Sequence, residues 1–390
     1  MGAHPVPSPP APERLPTVRS LVVTTWFPDD QTPSRTPFIV EHCRALQEQG
    51  HDLAVVHIRI GEVDALDRQE VYKGIPVTRV ALAPRDPRSY ASVARVIRAG
   101  LRGTDVLHTM AFSSILFAAG PWMTRRVPWI HTEHWSGVMN PASVGPTWQR
   151  LAWMRYALRF PHIVTGVTQQ LCGEMSEFVR PGATRVVPCV VENPGPPTNF
   201  PSSPPLRLVG VGALIEGKRP GLALETIAEL RRRDVDVKYT LVGGGPLQET
   251  LEDLARSLNI DDRVVLTGAI PPDEVPHHLA QAHVFFLPSA QENFFTAVAE
   301  AIAAGRPAAV PLSGGFDDYC TDENSVLSNS WEVPALADAV QDAWARFRDT
   351  DPEVIAATVR SRFSRAAIGA QFTRLYRSLT DQPFRATETR

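Results

Sequence analysis

Short apolar runs alternate with longer amphipathic stretches through almost the whole chain, and the alternation happens twice. In the first half, strand-like runs stand at 21–24, 53–60, 77–80, 106–108, 129–131 and 163–165. Helical spacing lies between them. Residues 38–49 repeat apolar side chains at Ile39, Cys43 and Leu46 and stop at Gly50, and 89–102 and 114–124 also read as helices. In the second half, strands are expected at 206–211, 239–242, 264–266, 284–287 and 308–310. Helices are expected there at 222–233, 247–258, 273–282, 295–304 and 333–348. Apolar strands each followed by a helix pack as a parallel, doubly wound sheet. The pattern therefore predicts an α/β chain with two Rossmann-like sheets. A proline-rich run at 194–205 (PGPPTNFPSSPP) divides them as a linker would. The 390 residues also exceed what one compact core usually holds. Ligands of such sheets sit beyond the carboxyl ends of the strands, so two facing sheets make a cleft for one.

The net charge of −3 argues against nucleic acid as a main partner, because that binding rests on a basic surface that neutralises phosphates. Cys43, Cys172, Cys189 and Cys320 lie far apart with no paired spacing, so buried free thiols are expected rather than a metal or disulfide framework. Residues 1–17, rich in Pro and Ala, read as a disordered tail. Neither a signal core nor a membrane span is read, and a cytoplasmic protein is expected. Only Lys73, Lys218 and Lys238 are lysines among the 39 Lys and Arg residues. A lysine standing where chemistry needs one is thus better than a random hit.

The strongest local feature is Glu292-Asn293-Phe294-Phe295-Thr296-Ala297-Val298-Ala299-Glu300, after the strand at 284–287 and the turn Pro288-Ser289. Eight helical residues turn through about 800°, roughly 80° past two full turns, so the two carboxylates border one cleft without overlapping. A helix N-terminus aimed into that cleft favours a diphosphate or another anion. Carboxylates suit sugar and ribose hydroxyls because they accept several hydrogen bonds. On spacing alone, a capping Glu292 and a surface Glu300 remain equally open.

Pro288-Ser289-x-x-Glu292-Asn293-Phe294, then Glu300-Ala301-x-Ala303-x-Gly305-x-Pro307, resembles the E-x7-E segment of glycosyltransferase family 4, whose members are retaining enzymes of GT-B architecture. Upstream, Val211-Gly212-Ala213-Leu214 with Lys218 resembles the family's first strand and phosphate-contacting loop of that half. Leu241-Val242-Gly243-Gly244-Gly245 resembles the next strand and turn, and Gly314-Gly315 a later turn. In the first half, Trp26-Phe27-Pro28 and Phe38-Ile39-x-Glu41-His42 resemble the family's opening loop and first helix. Thr132-Glu133-His134 resembles a segment whose His lies near the sugar and the acceptor. Val187-Pro188-Cys189 resembles the segment before the linker, with Cys189 where Asn is usual.

The resemblance implies a GT-B fold with an N-terminal acceptor-binding domain over 18–198 and a C-terminal nucleotide-sugar domain over 203–350. Helices within 351–390 are expected to pack back toward the first domain. It implies that Glu300 holds the donor ribose, that Glu292 faces the transferred sugar, and that Lys218 holds the diphosphate and stabilises the departing charge. His134 would position sugar or acceptor. Gly212, Asn293, Phe294, Phe295 and Thr296 would line the donor site, and Arg35, Thr36, His108 and Glu133 the acceptor side. No metal or cofactor is implied, only the nucleotide sugar as co-substrate. The reaction so implied is retaining transfer from a UDP- or GDP-sugar to a hydroxyl or amine of a small-molecule acceptor, with antibiotic-type natural products in view. Cell-surface polysaccharide or glycolipid synthesis stays open, as do a nucleotide-sugar epimerase and a non-catalytic nucleotide-sugar binder.

Several positions depart from the family. Ala213 stands where Arg is common, and Arg219 is a candidate to replace it. Phe295 stands where Gly is common and is expected to narrow or reshape the pocket. Ser34-Arg35-Thr36-Pro37 lacks the usual glycine. Gly243-Gly244-Gly245 is read as a tight strand-to-helix turn rather than a phosphate cradle. His108 either lines the cleft or is a satisfied structural histidine, and His277 and His278 are read as surface residues. Residues 89–102 and 148–160 each carry three arginines among apolar residues. Core-facing stripes with solvated Arg faces are expected there, and peripheral membrane contact is the less favoured reading.

Overall fold

The computed structural model describes residues 17–29, 36–61, 67–192 and 194–381. Arg35 and most of the expected 1–17 tail lie outside the described residues.

The first sheet has eight strands: β1 (Arg19–Thr24), β2 (Asp52–Ile60), β3 (Arg68–Tyr72), β4 (Ile75–Leu82), β5 (Val106–Met110), β6 (Trp129–Glu133), β7 (Ile163–Gly166) and β8 (Thr184–Val186). Their order is β3-β4-β2-β1-β5-β6-β7-β8. All pairings are parallel except β3 with β4. The second sheet has six: β9 (Leu206–Val211), β10 (Val237–Val242), β11 (Val264–Leu266), β12 (Val284–Phe286), β13 (Ala308–Pro311) and β14 (Ser325–Ser328). They run β11-β10-β9-β12-β13-β14, all parallel. The sequence reading missed β3, β8 and β14. All three carry exposed or partly exposed residues, so the apolar run that marks a central strand is absent.

The central strands β1, β5, β6, β12 and β13 are almost wholly buried, as expected when helices cover both faces of a sheet. In each sheet the chain order reverses between two neighbours, β1 and β5 in the first and β9 and β12 in the second. Loops from two such strands leave in opposite directions and open a crevice at their carboxyl ends.

After β14 the chain runs through helices Val333–Phe347, Pro352–Phe363 and Arg365–Thr380. The last of these packs on the first sheet's domain, against helix Pro37–Glu48. The approach is close: a Cβ on Gly369 would meet the Ala45 carbonyl oxygen at 2.4 Å. His51 bonds Thr373 at 2.8 Å, and His108 bonds the Tyr376 hydroxyl at 2.9 Å. Phe372 is fully buried between His42 and His108. Arg365 reaches Glu41, Glu48 and Glu192, and the Val191 amide donates to the Phe363 carbonyl at 2.9 Å. The terminal helix thus belongs to the first half in space and to the second in sequence.

Helix Pro87–Gly100 buries Val93 and Ile97 and exposes Arg95 and Arg98, the expected core-facing stripe. Residues 148–160 do not form one amphipathic helix. They fall into the end of a short helix, Pro146–Arg150, and 3₁₀ turns over Ala152–Arg159. Among the described residues, no helix is long and apolar enough to cross a membrane.

Phe372→Ala should lower first-domain stability by about 3–5 kcal/mol, the usual result of removing a buried Phe. Tryptophan fluorescence in urea reads this, since six of the eight tryptophans lie in the first half. An unchanged midpoint would show that the terminal helix does not dock there.

Candidate active site

β9 and β12 are direct neighbours, and Lys218 follows one while Glu292 follows the other. The two side chains form an ion pair at the crevice, and the Ser289 hydroxyl donates to the same Glu292 oxygen at 2.7 Å. Gly212 separates the end of β9 from the Lys218 stem. A Cβ there would lie 3.2 Å from Leu287 and 3.9 Å from Lys218.

Two glycines allow the loops to close on this point. Gly314 has φ +137°, and a Cβ on it would fall 1.7 Å from the Glu292 carbonyl oxygen. Gly243 has φ +136°, and a Cβ there would fall 2.1 Å from the Gly212 carbonyl oxygen. Both conformations suit glycine alone. Gly243 therefore serves loop-on-loop packing, in agreement with the tight turn read from the sequence.

Helix Thr296–Ala303 begins beside the pair, and no side chain caps its first turn. Its N-terminal amides and dipole are thus left for an anion. Phe295 precedes it at φ +45°, the left-handed conformation that glycine normally supplies. The expected narrowing of the pocket by Phe295 is corrected here. Its ring turns inward between Phe285 and Phe316, 4% exposed, and only underlies Lys218 Nζ at 5.2 Å. Phe294 also turns inward, onto Tyr319 and Phe363. The buried Tyr319 hydroxyl donates toward the carbonyls of both phenylalanines at 2.8 and 2.9 Å, a support the sequence did not signal.

Glu292 lies in the loop before this helix and only Glu300 lies on it, so the eight helical residues expected between the two glutamates are corrected here. Among the described residues the Glu300 carboxylate has no hydrogen bond or ion pair. Burial, with a smaller push from Glu192, raises it to about 7. Arg219, the candidate replacement for an arginine at Ala213, is directed elsewhere: its guanidinium lies over the Trp331 ring at 5.5 Å.

The first sheet supplies the opposite wall. His134 follows β6, and its ring packs on Phe38 at 4.5 Å and on His42 at 5.1 Å. Burial, helped by the neighbouring His42, His131 and His108, holds His134 well below the ordinary imidazole range, so it is neutral near pH 7. Its Nε2 is buried without a partner. Asn293 crosses the seam and donates from Nδ2 to the His134 carbonyl at 2.6 Å, while its own Oδ1 stays unpaired. Cys189 sits at the base of the seam, in contact with His134 at 4.0 Å and with Thr296, and burial pushes its thiol up to about 12. All four cysteines are free and buried.

Two acceptor-side expectations are corrected. His108 is fully buried with both ring nitrogens engaged, by Tyr376 and Thr132, and is a structural histidine. Glu133 is fully buried too. It accepts from His131 Nε2 and from the amides of His134 and Trp135, so it shapes the His134 loop instead of meeting a ligand. Thr36 holds a left-handed backbone at the start of helix Pro37–Glu48, two residues from Phe38, with its hydroxyl buried and unpaired.

Residues 37–193 match the description Glycosyltransferase Family 4, and residues 198–346 match Glycosyl transferases group 1. The chain belongs to the group 1 glycosyltransferases of family 4. Among solved structures, sucrose-phosphate synthase from Thermosynechococcus elongatus superposes with a TM-score of 0.74 at 21% identity, covering 93% of this chain and 99% of that one. Anabaena HepE in complex with UDP and glucose gives 0.69 at 17%, covering 93% and 100%. These likenesses establish the GT-B fold.

The chain is 33% identical over 146 residues to the GDP-mannose-dependent alpha-(1-6)-phosphatidylinositol monomannoside mannosyltransferase of Mycolicibacterium smegmatis, covering 35% of this chain and 38% of that protein. It is 28% identical over 197 residues to the 2-deoxystreptamine glucosyltransferase of Streptomyces kanamyceticus, covering 50% of each. The chain thus spans half or less of the length of these curated relatives.

A raised Glu300 links ligand binding to pH. Hydroxyl donors favour the carboxylate, so binding lowers the pKa of Glu300 in the complex. Affinity is then full above the free-state value and falls as pH drops through about 7. Calorimetric titration with a nucleoside diphosphate should show affinity rising about tenfold from pH 6 to pH 8, the size of the gain from a charge-assisted hydrogen bond. Glu300→Gln should flatten that dependence. An equally steep rise in the variant would remove Glu300 from the site.

Proposed function

We propose that this group 1 glycosyltransferase moves a sugar, with retained anomeric configuration, from a UDP- or GDP-sugar to a hydroxyl or amine of a small-molecule acceptor. One observation carries the reading: a lone lysine and a glutamate meet at the β9–β12 switch point, beside an uncapped helix that bears an uncompensated Glu300.

Each residue has a task in this scheme. The diphosphate lies against the amides of Thr296–Ala303 and draws Lys218 from Glu292. As the glycosidic bond breaks, negative charge grows on the leaving phosphate, and Lys218 with the helix amides stabilises it there. Freed from Lys218, Glu292 accepts hydrogen bonds from the sugar, and Glu300 accepts them from the ribose. Neutral His134 orients the sugar or acceptor from the opposite wall. The acceptor attacks from the face the phosphate leaves, and the phosphate takes its proton.

The small-molecule acceptor is supported by the names of two relatives from Streptomyces kanamyceticus, the 2-deoxystreptamine glucosyltransferase and the alpha-D-kanosaminyltransferase. A lipid-borne acceptor is the second reading, favoured by Arg150, Trp153, Tyr156 and Arg159, which are exposed together on the first domain.

The test is product formation from UDP- and GDP-sugars with aminocyclitol and lipid acceptors, the anomer read by NMR. Lys218→Ala should lower kcat by about 10²–10³, the range seen when one preorganised donor to a developing charge is removed. Saturable nucleotide-sugar binding with no transfer in any combination would leave a binding module instead.

A further inference from the structure

One surface of the first domain is unlike the rest. From residue 106 to residue 173 the sequence holds a single acid, Glu133, and that side chain is fully buried. The same stretch carries Arg125, Arg126, Arg150 and Arg159, all exposed, and none of them pairs with a carboxylate among the described residues. In the second half of the chain, Arg231, Arg232, Arg263 and Arg346 pair with nearby Asp or Glu, whereas exposed Arg95, Arg98 and Arg102 of the first domain add further cationic charge with no carboxylate partner among the described residues. This cationic surface stands out on a chain whose net charge is −3.

Large apolar side chains project from the same surface. Trp153 is 67% exposed, Met123 58%, Tyr156 48%, Phe160 41% and Leu151 40%. They form one patch because the parts bearing them pack together. Helix Phe112–Met123 lies against the 3₁₀ turns of Ala152–Arg159. Trp129 links the two, with Trp122 at 5.3 Å on one side and a stacked Phe160 at 6.3 Å on the other. Arg159 lies over the Tyr156 ring at 4.9 Å, and exposed Arg180 donates to the Arg159 carbonyl at 2.7 Å. Asp105 precedes this stretch and pairs with Arg19, and Glu174 and Glu177 follow it, the Glu177 carbonyl accepting from Arg159 at 3.5 Å.

We propose that this face docks on an anionic lipid bilayer. Aromatic and aliphatic side chains enter the headgroup boundary, while the ring of arginines meets lipid phosphates and acidic headgroups. Charge decides against a second copy of the chain, since a two-fold dimer through this face would set one cationic surface on itself. The connection after β6 starts at His134 and runs into the patch through helix Pro146–Arg150. Docking therefore brings the acceptor wall of the cleft toward the membrane. The inference does not depend on the reaction proposed above.

The test is flotation of the full chain with vesicles of phosphatidylcholine, with and without phosphatidylglycerol. Binding is expected to the phosphatidylglycerol vesicles, to fall with added salt, and to be weak with phosphatidylcholine alone. Arg125→Gln, Arg150→Gln and Arg159→Gln should each weaken partitioning about fivefold, the factor matching about 1 kcal/mol per arginine near an anionic surface. Trp153→Ser with Phe160→Ser should abolish it, while nucleoside diphosphate affinity and melting temperature stay unchanged. Should that pair melt early, the arginine variants decide alone. No flotation with phosphatidylglycerol vesicles, equal flotation with both vesicle types, or unchanged flotation of the arginine variants overturns the proposal. A homodimer that dissolves on Trp153→Ser without vesicle binding also overturns it, making the face a protein interface.

Discussion

The adjacency of β9 and β12 governs the rest of the structure. Because the chain turns back between these two strands, their carboxyl ends part and leave an opening that no other strand fills. Two residues 74 positions apart, Lys218 and Glu292, are brought to that opening as an ion pair. Gly243 lets the loop after β10 meet the Gly212 carbonyl, and Gly314 lets the loop after β13 meet the Glu292 carbonyl, each backbone on backbone. The pair is largely shielded from water, so the cost of desolvating both charges offsets much of their attraction. Its consequence is geometric: a lysine is held, already paired, where an anion can displace its partner.

The site is divided between two bodies of structure, so its completion depends on the seam. Asn293 joins the Glu292 loop to the His134 carbonyl, and the Gln169 amide donates to Asp318 at 2.9 Å. Behind the seam, the linker and the bend between the last two helices form a second connection, with Arg365 spanning Glu41 and Glu192. His42 also reaches the segment before the linker, bonding the Pro188 carbonyl at 3.0 Å. The buried, unpaired His134 Nε2 and Asn293 Oδ1 lie at this seam. Buried polar groups without partners are unfavourable, which fits a site whose hydrogen bonds are completed by ligand.

The plan of the fold was legible in the sequence because it rests on local periodicity. Central strands declared themselves as apolar runs, and Glu292 and Glu300 stood out by their spacing, although only Glu300 lies on helix Thr296–Ala303. Side-chain direction was not legible. His108 and Glu133 lie at or near strand ends beside the cleft, where polar residues invite a functional reading, yet both point into the domain and satisfy internal partners. Phe295 was misread for a related reason. Its backbone adopts the left-handed turn of the glycine it replaces, so the ring is carried into the core and not into the pocket. The aromatic and basic residues over 148–160 were read as a helix stripe. The chain leaves helix Pro146–Arg150 at Leu151 and goes on in 3₁₀ turns, which leave the Trp153, Tyr156 and Phe160 rings exposed.

The central claim is a place: a diphosphate at the β9–β12 opening. A crystal structure with a bound nucleoside diphosphate tests it most directly. The account predicts phosphate oxygens within hydrogen-bond distance of Lys218 Nζ and of the first amides of Thr296–Ala303, with ribose hydroxyls on Glu300 and the Lys218–Glu292 pair broken. Nucleotide density anywhere else, or phosphates at this opening with Lys218 still bound to Glu292, would contradict it.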